Sequence, residues 1–139
     1  MVEPIIHTNL ELFLTSWFRA ALEARPEPVT DDVEVDRVER EPLPEKLVVI
    51  RDDGGPDDWF LTGERSVGVS VLAGTRENPD PAKVIAAICS ALAWTIPSTD
   101  PGNPVSAVLG VTSPVMVPES AERARVYLVL NLAVVGRPL

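Results

Sequence analysis

The residues able to do chemistry are few. His7 is the only histidine, so any Ser-His-Asp or Cys-His nucleophile system would have to use it. It lies in the N-terminal approach to the first predicted helix. Cys89 is the only cysteine; it forms no internal disulfide, and it falls on the apolar face of a predicted helix, where burial disfavours a thiolate. Metal binding through His and Cys needs more of both. Asp52, Asp53, Asp57 and Asp58 bring four carboxylates into one loop. Hard cations bind such oxygen clusters, but the ligand alternation and closing glutamate of an EF-hand are absent. A solvated acidic loop is the favoured reading. Ala73-Gly74-Thr75-Arg76 lacks the lysine of a phosphate loop. A pair of carboxylates stays open as a route to catalysis. The expectation is a protein that is not an enzyme, with no catalytic residue, no metal ligand and no cofactor.

The elements that hold these residues centre on Arg65–Trp94. Val67, Val69 and Val71 alternate with Gly68 and Ser70, the period-2 pattern of a strand with one buried face. Gly74 and Asn78-Pro79-Asp80-Pro81 break it. Asp80 suits an N-cap and Pro81 the first helical position. Val84, Ile85, Ile88, Cys89 and Leu92 then follow at helical spacing and predict one apolar face.

Upstream, Thr8-Asn9-Leu10-Glu11 has capping-box spacing, with Thr8 as cap. Leu10, Phe13, Leu14, Trp17, Phe18, Ala21 and Leu22 form the stripe of a helix running to about Ala24, stopped by Pro26. From Pro26 to about Glu45 the chain is polar and rich in proline. Asp31–Asp36 alternates weakly, as in a charged edge strand, and the segment reads equally well as an arm lying on a neighbouring subunit. Lys46–Arg51 is a short apolar run, a strand buried on both faces. It is joined to the Arg65 strand by a Gly-Gly-Pro connection, which predicts a wide antiparallel hairpin. Val105–Val111 reads as a strand and Pro114–Glu122 as an unusually apolar connection. Arg123–Val135 is the longest strand, with Val126, Leu128, Leu130, Leu132 and Val134 on one face. Its other face is half-apolar. The predicted fold is α+β: one domain over residues 1–139, a two-layer sandwich of a mainly antiparallel sheet with two helices on one face.

The chain has 139 residues, with 45% hydrophobic residues, enough for an ordered core. Its formal charge of −9 argues against a binder of nucleic acid or anionic membrane, which needs clustered Lys and Arg. No apolar run approaches a membrane span, and the N-terminus lacks the layout of a signal peptide. Synthesis in the cytoplasm is expected.

Several stretches together carry a family resemblance. They are Val48-Val49-Ile50-Arg51-Asp52-Asp53-Gly54-Gly55-Pro56, the valine strand running into Leu72-Ala73-Gly74-Thr75-Arg76, and the helix opening Asn78-Pro79-Asp80-Pro81-Ala82-Lys83. Asn103-Pro104-Val105 follows, then Arg123-Ala124-Arg125-Val126-Tyr127 and the close at Val134-Val135-Gly136-Arg137. This succession resembles the tail terminator proteins of long-tailed phages that infect actinobacteria. The resemblance implies a structural virion protein: a ring, commonly of six copies, that caps the tail tube, ends its polymerisation and joins the tail to the head connector. Its implied partners are further copies of itself, the tail tube protein and a head-tail connector or stopper protein, with DNA passing through the lumen without specific binding. Another neck component shares this composition, and a small enzyme or ligand-binding domain is the third class. Interface candidates are the aromatic loop tip Trp59, Phe60 and Leu61, and the apolar run Val115, Met116 and Val117.

Overall fold

A computed structural model describes residues 5–6, 9–56, 62–118 and 122–138. Helix α1 (Leu10–Glu23) begins after Asn9, whose side chain accepts a hydrogen bond from the Leu12 N–H at 3.1 Å. The cap is therefore Asn9 and not Thr8, which lies outside the described residues. Either residue type can cap, and the choice fell to the one whose carbonyl also takes the Phe13 N–H. Glu11, expected to close a capping box, instead accepts the backbone N–H of Asp52 at 2.9 Å.

Two sheets form. Strands β1 (Ile5–Ile6) and β8 (Arg137–Pro138) pair the two ends of the chain. The main sheet has six strands: β2 (Glu34–Asp36), β3 (Lys46–Asp52), β4 (Thr62–Ala73), β5 (Val105–Val111), β6 (Val115–Met116) and β7 (Arg125–Val135). Their order is β2-β3-β4-β7-β5, with β6 also on β7. All pairs are antiparallel except β2 with β3. The predicted hairpin of β3 and β4 is present, with Val48 opposite Val71 and Ile50 opposite Val69.

Both helices cover one face, α1 over β2 and β3, and α2 (Asp80–Ala93) over β4, β7 and β5. A single core results. Leu14, Phe18 and Leu22 of α1 meet Val48, Ile50, Val67, Val69, Val71 and the even-numbered residues Val126–Leu132. Phe18 is fully buried and meets Trp17 edge-on, with centroids 4.9 Å apart. The fold is the α+β sandwich expected from the alternation, with two helices on a mainly antiparallel sheet.

Helix α2 differs from expectation in which side it buries. Ala82, Ile85, Ala86, Cys89 and Ala93 face the core, while Val84 is 45% exposed and Ile88 and Leu92 are half-buried. Its N-cap is Pro79, with no side-chain bond, and Asp80 is already helical. The alanines let the helix sit close on the sheet, and that close approach fixes the buried side.

Candidate assembly interface

Among the described residues, the sheet face away from the helices has no second layer over most of its area. Register places Val49, Ser70, Tyr127 and Val115 in one row across β3, β4, β7 and β6. Arg51, Gly68 and Val129 form the next. Val115 is 62% exposed, and Val49, Tyr127 and Val129 are half-buried. Tyr127 owes its burial to Gly68: a Cβ there would stand 2.6 Å from the phenol oxygen, so the ring lies flat in the gap left by a missing side chain. The Arg51 guanidinium bonds Asp53 at 2.8 Å, which holds its pKa above the usual value; the Tyr127 hydroxyl adds a smaller contribution.

One end of this face is covered by the chain itself. The polar segment between α1 and β3 forms a short 3-10 turn (Pro28–Thr30) and then the edge strand β2, so the edge-strand alternative is the one adopted. Arg19 donates to the Val35 carbonyl at 2.8 Å. The return toward β3 is held by Arg125, ion-paired with Glu39 at 2.6 Å, and by Arg123, which donates to the carbonyls of Pro44 and Glu45. Leu47 shares a cleft of about 470 Å³ with Val38, Pro42 and Pro44. This explains why β3 buries Leu47 as well as Val48 and Ile50.

The two edges of the sheet contrast. The β2 edge carries Glu34 and Asp36 among many charges, as exposed edges do to discourage pairing. The opposite edge, Val105 through Pro118, contains no charged residue. Two register shifts in β5 push Leu109 outward, 51% exposed. Of the three candidates there, Val115 points outward, whereas Met116 packs against the core and Val117 is half-buried, its N–H bonded to the Arg125 carbonyl. Alternation along a two-residue strand separates Val115 from Met116, which the reading of this run as a connection could not anticipate. The sequence reading already placed Tyr127 and Val129 on the half-apolar outer face of the last strand; it missed Val49, which only the strand register brings into the same row, and exposed Leu109.

The other candidates, Trp59, Phe60 and Leu61, lie outside the described residues, as do His7, Asp57 and Asp58. Beyond β3 the hairpin continues through Asp53 N–H to Ser66 O, Ser66 N–H to Gly54 O and Glu64 N–H to Pro56 O, each at 2.8 Å. Asp52 accepts the Gly54 N–H, and Asp53 is occupied by Arg51. Among the described residues no group of three or more His, Cys, Asp or Glu side chains could hold a metal ion. Gly55 has φ +155°, and a Cβ there would meet the Glu64 carbonyl oxygen at 2.3 Å. Gly55→Ala is therefore expected to cost about 1–3 kcal/mol, read as a lower melting temperature and faster amide exchange at Glu64 and Ser66.

Cys89 is fully buried, and desolvation pushes its thiol up to about 12, which suits packing rather than nucleophilic work. An open cleft of about 660 Å³ is lined by Leu43, Glu45, Lys46, Gly74, Thr75, Pro81, Glu122 and Arg123, and the Thr75 hydroxyl there accepts the Asn78 N–H at 3.0 Å. Among the described residues no helix is long and apolar enough to cross a membrane. No family model matches the chain, and no curated protein matches it.

Proposed function

We propose that this chain is a structural subunit of a phage virion, a tail terminator that forms a ring on the tail tube, ends tube growth and joins the tail to the head connector or stopper. The observation that carries the reading is the outer sheet face, where Val49, Tyr127, Val129 and Val115 form an apolar surface that neither helix covers. Contiguous apolar surface of this kind marks contact with other proteins. A face continuous with an uncharged edge suits repeated contact between copies, and a head-to-tail contact closes into a ring when its rotation allows. The motif succession from Val48 to Arg137 supports the same assignment. The function then needs no catalysis and no cofactor.

The direct test is polymerisation of the tail tube protein with and without this chain. Tubes of limited length, each with added density at one end, are the expected outcome. Tubes that grow unchanged, with the protein bound to head connectors alone, would assign it to another part of the neck.

The ring reading also fixes the behaviour toward DNA. Each copy brings a formal charge of −9, so a lumen lined even partly by these carboxylates repels phosphate and lets the duplex slide. No retardation of duplex DNA is expected at low salt. Tight binding that weakens steeply with salt would contradict a passive lumen.

A further inference from the structure

Two leucines are buried outside the core. Leu47 and Leu72 are each 2% exposed, yet neither belongs to the cluster beneath the helices. They are cross-strand partners on the outer sheet face, and the register carries their row on from Leu72 to Arg125. The next outward row along the strands is that of Val49, Ser70 and Tyr127. What covers the leucines is the connection between β2 and β3, residues 37–45. Val38, Pro42 and Pro44 share a cleft with Leu47, and Glu39 reaches past Leu72 to Arg125. Arg123 holds the same connection by the carbonyls of Pro44 and Glu45. The assembly face therefore continues beneath a piece of the chain itself.

We propose that residues 37–45 form an autoinhibitory strap: in the single copy they occupy part of the assembly face, and they leave it when a neighbouring copy docks on Leu47, Leu72 and Arg125. This rests on the reading of the outer sheet face as the assembly surface. The strap has length to spare. Asp36 lies level with Val49 while β3 begins at Lys46, a gap of about 11 Å, whereas residues 37–45 reach about 30 Å when extended. Its hold can be exchanged for another. Among the described residues no main-chain hydrogen bond joins residues 38–44 to the sheet, and the ties across the sheet are the side chains of Arg123 and Arg125. Residues 37–42 are exposed and Leu43 and Pro44 half-buried, so the strap itself loses little cover on leaving. The exposure of two leucines is what keeps it closed until a neighbour covers them. Charge points to the occupant. Departure of the strap takes Glu39, Glu41 and Glu45 off the face and turns Arg123 and Arg125 toward the docking surface. A copy of this chain, with 21 Asp and Glu against 12 Lys and Arg, has the carboxylates to replace Glu39, so opening offsets locally the repulsion between copies.

The test uses the full chain and two thiols. Leu72→Cys places one beneath the strap, and the native Cys89, fully buried in the core, reports global unfolding. In dilute single copies the introduced thiol is expected to react with a maleimide faster than Cys89 by about tenfold or more, because the strap opens without the rest of the fold. Glu39→Ala is expected to quicken it about tenfold again, through loss of a charged hydrogen bond, and to leave the Cys89 rate unchanged. Leu47→Cys is the second reporter if Leu72→Cys does not fold. With both leucines intact, Glu39→Ala is expected to assemble on tail tubes at a concentration about tenfold below that of wild type, read by light scattering. A strap that only stabilised the subunit would move assembly the other way. Labelling beneath the strap no faster than at Cys89, or assembly that Glu39→Ala does not favour, would overturn the inference and leave the sheet-face reading standing. Labelling as expected with no assembly by either chain would remove the sheet-face reading, and the strap's role with it.

Discussion

Val115→Asp is expected to abolish assembly while leaving the single subunit as stable as before. The side chain is 62% exposed and contributes little to the core, so its replacement stays within about 0.5 kcal/mol of wild-type stability. In an assembly the same carboxylate would be taken from water beside Tyr127, at a cost of several kcal/mol per contact. A contact repeated around a ring multiplies that cost, so capping of tubes should disappear at concentrations where wild type is saturating. The check is a pair of measurements on one preparation: thermal unfolding and tube capping. A variant that caps normally would remove Val115 from the interface. A fall of several degrees in melting temperature would show that its row of the sheet is structural.

Phe18→Ala is expected to have the opposite signature. Phe18 is fully buried at the centre of α1, packed on Trp17 and against the sheet. Its truncation removes the transfer free energy of the ring and leaves a cavity, about 3–5 kcal/mol together. For a chain of this size the melting temperature should fall by about 10 °C or more. Leu12, on the same helix but 52% exposed, supplies the control: Leu12→Ala should shift melting hardly at all. Equal effects at the two positions would mean that α1 does not cover the sheet as described.

The contrast between these two positions shows which parts of the structure are legible in the sequence. Strand β4 could be read because glycine and serine occupy every second place, so only one register buries the valines. The stripe of α1 could be read because Arg19, Ser16 and Glu23 mark its solvent side. Helix α2 has no such marks after Lys83. With apolar residues all round, periodicity cannot choose a face, and close packing by Ala82, Ala86 and Ala93 decided it. The reading of Val84 as core failed for that reason.

The edge strand β2 was undecided because three alternating residues bury only Val35, too little to distinguish an edge from an arm. What settled it in the fold is remote in sequence: Arg19, Arg123 and Arg125 reach the segment across long separations, and no local pattern encodes such contacts. The assembly surface was half legible. Composition pointed to the last strand and to Val115-Met116-Val117, but only strand register joins Val49, Tyr127 and Val115 into a row. The same register sends Met116 inward.

The central claim, that this chain works as one copy among several meeting through the uncovered sheet face, is tested most directly by light scattering of the purified protein at high concentration, alone and again with tail tubes. The account expects a species of more than two copies on the tubes, visible by negative-stain microscopy as a ring at one tube end. Val115→Asp should fail to form it. A protein that remains at one or two copies under both conditions, and leaves the tube ends bare, would contradict the account.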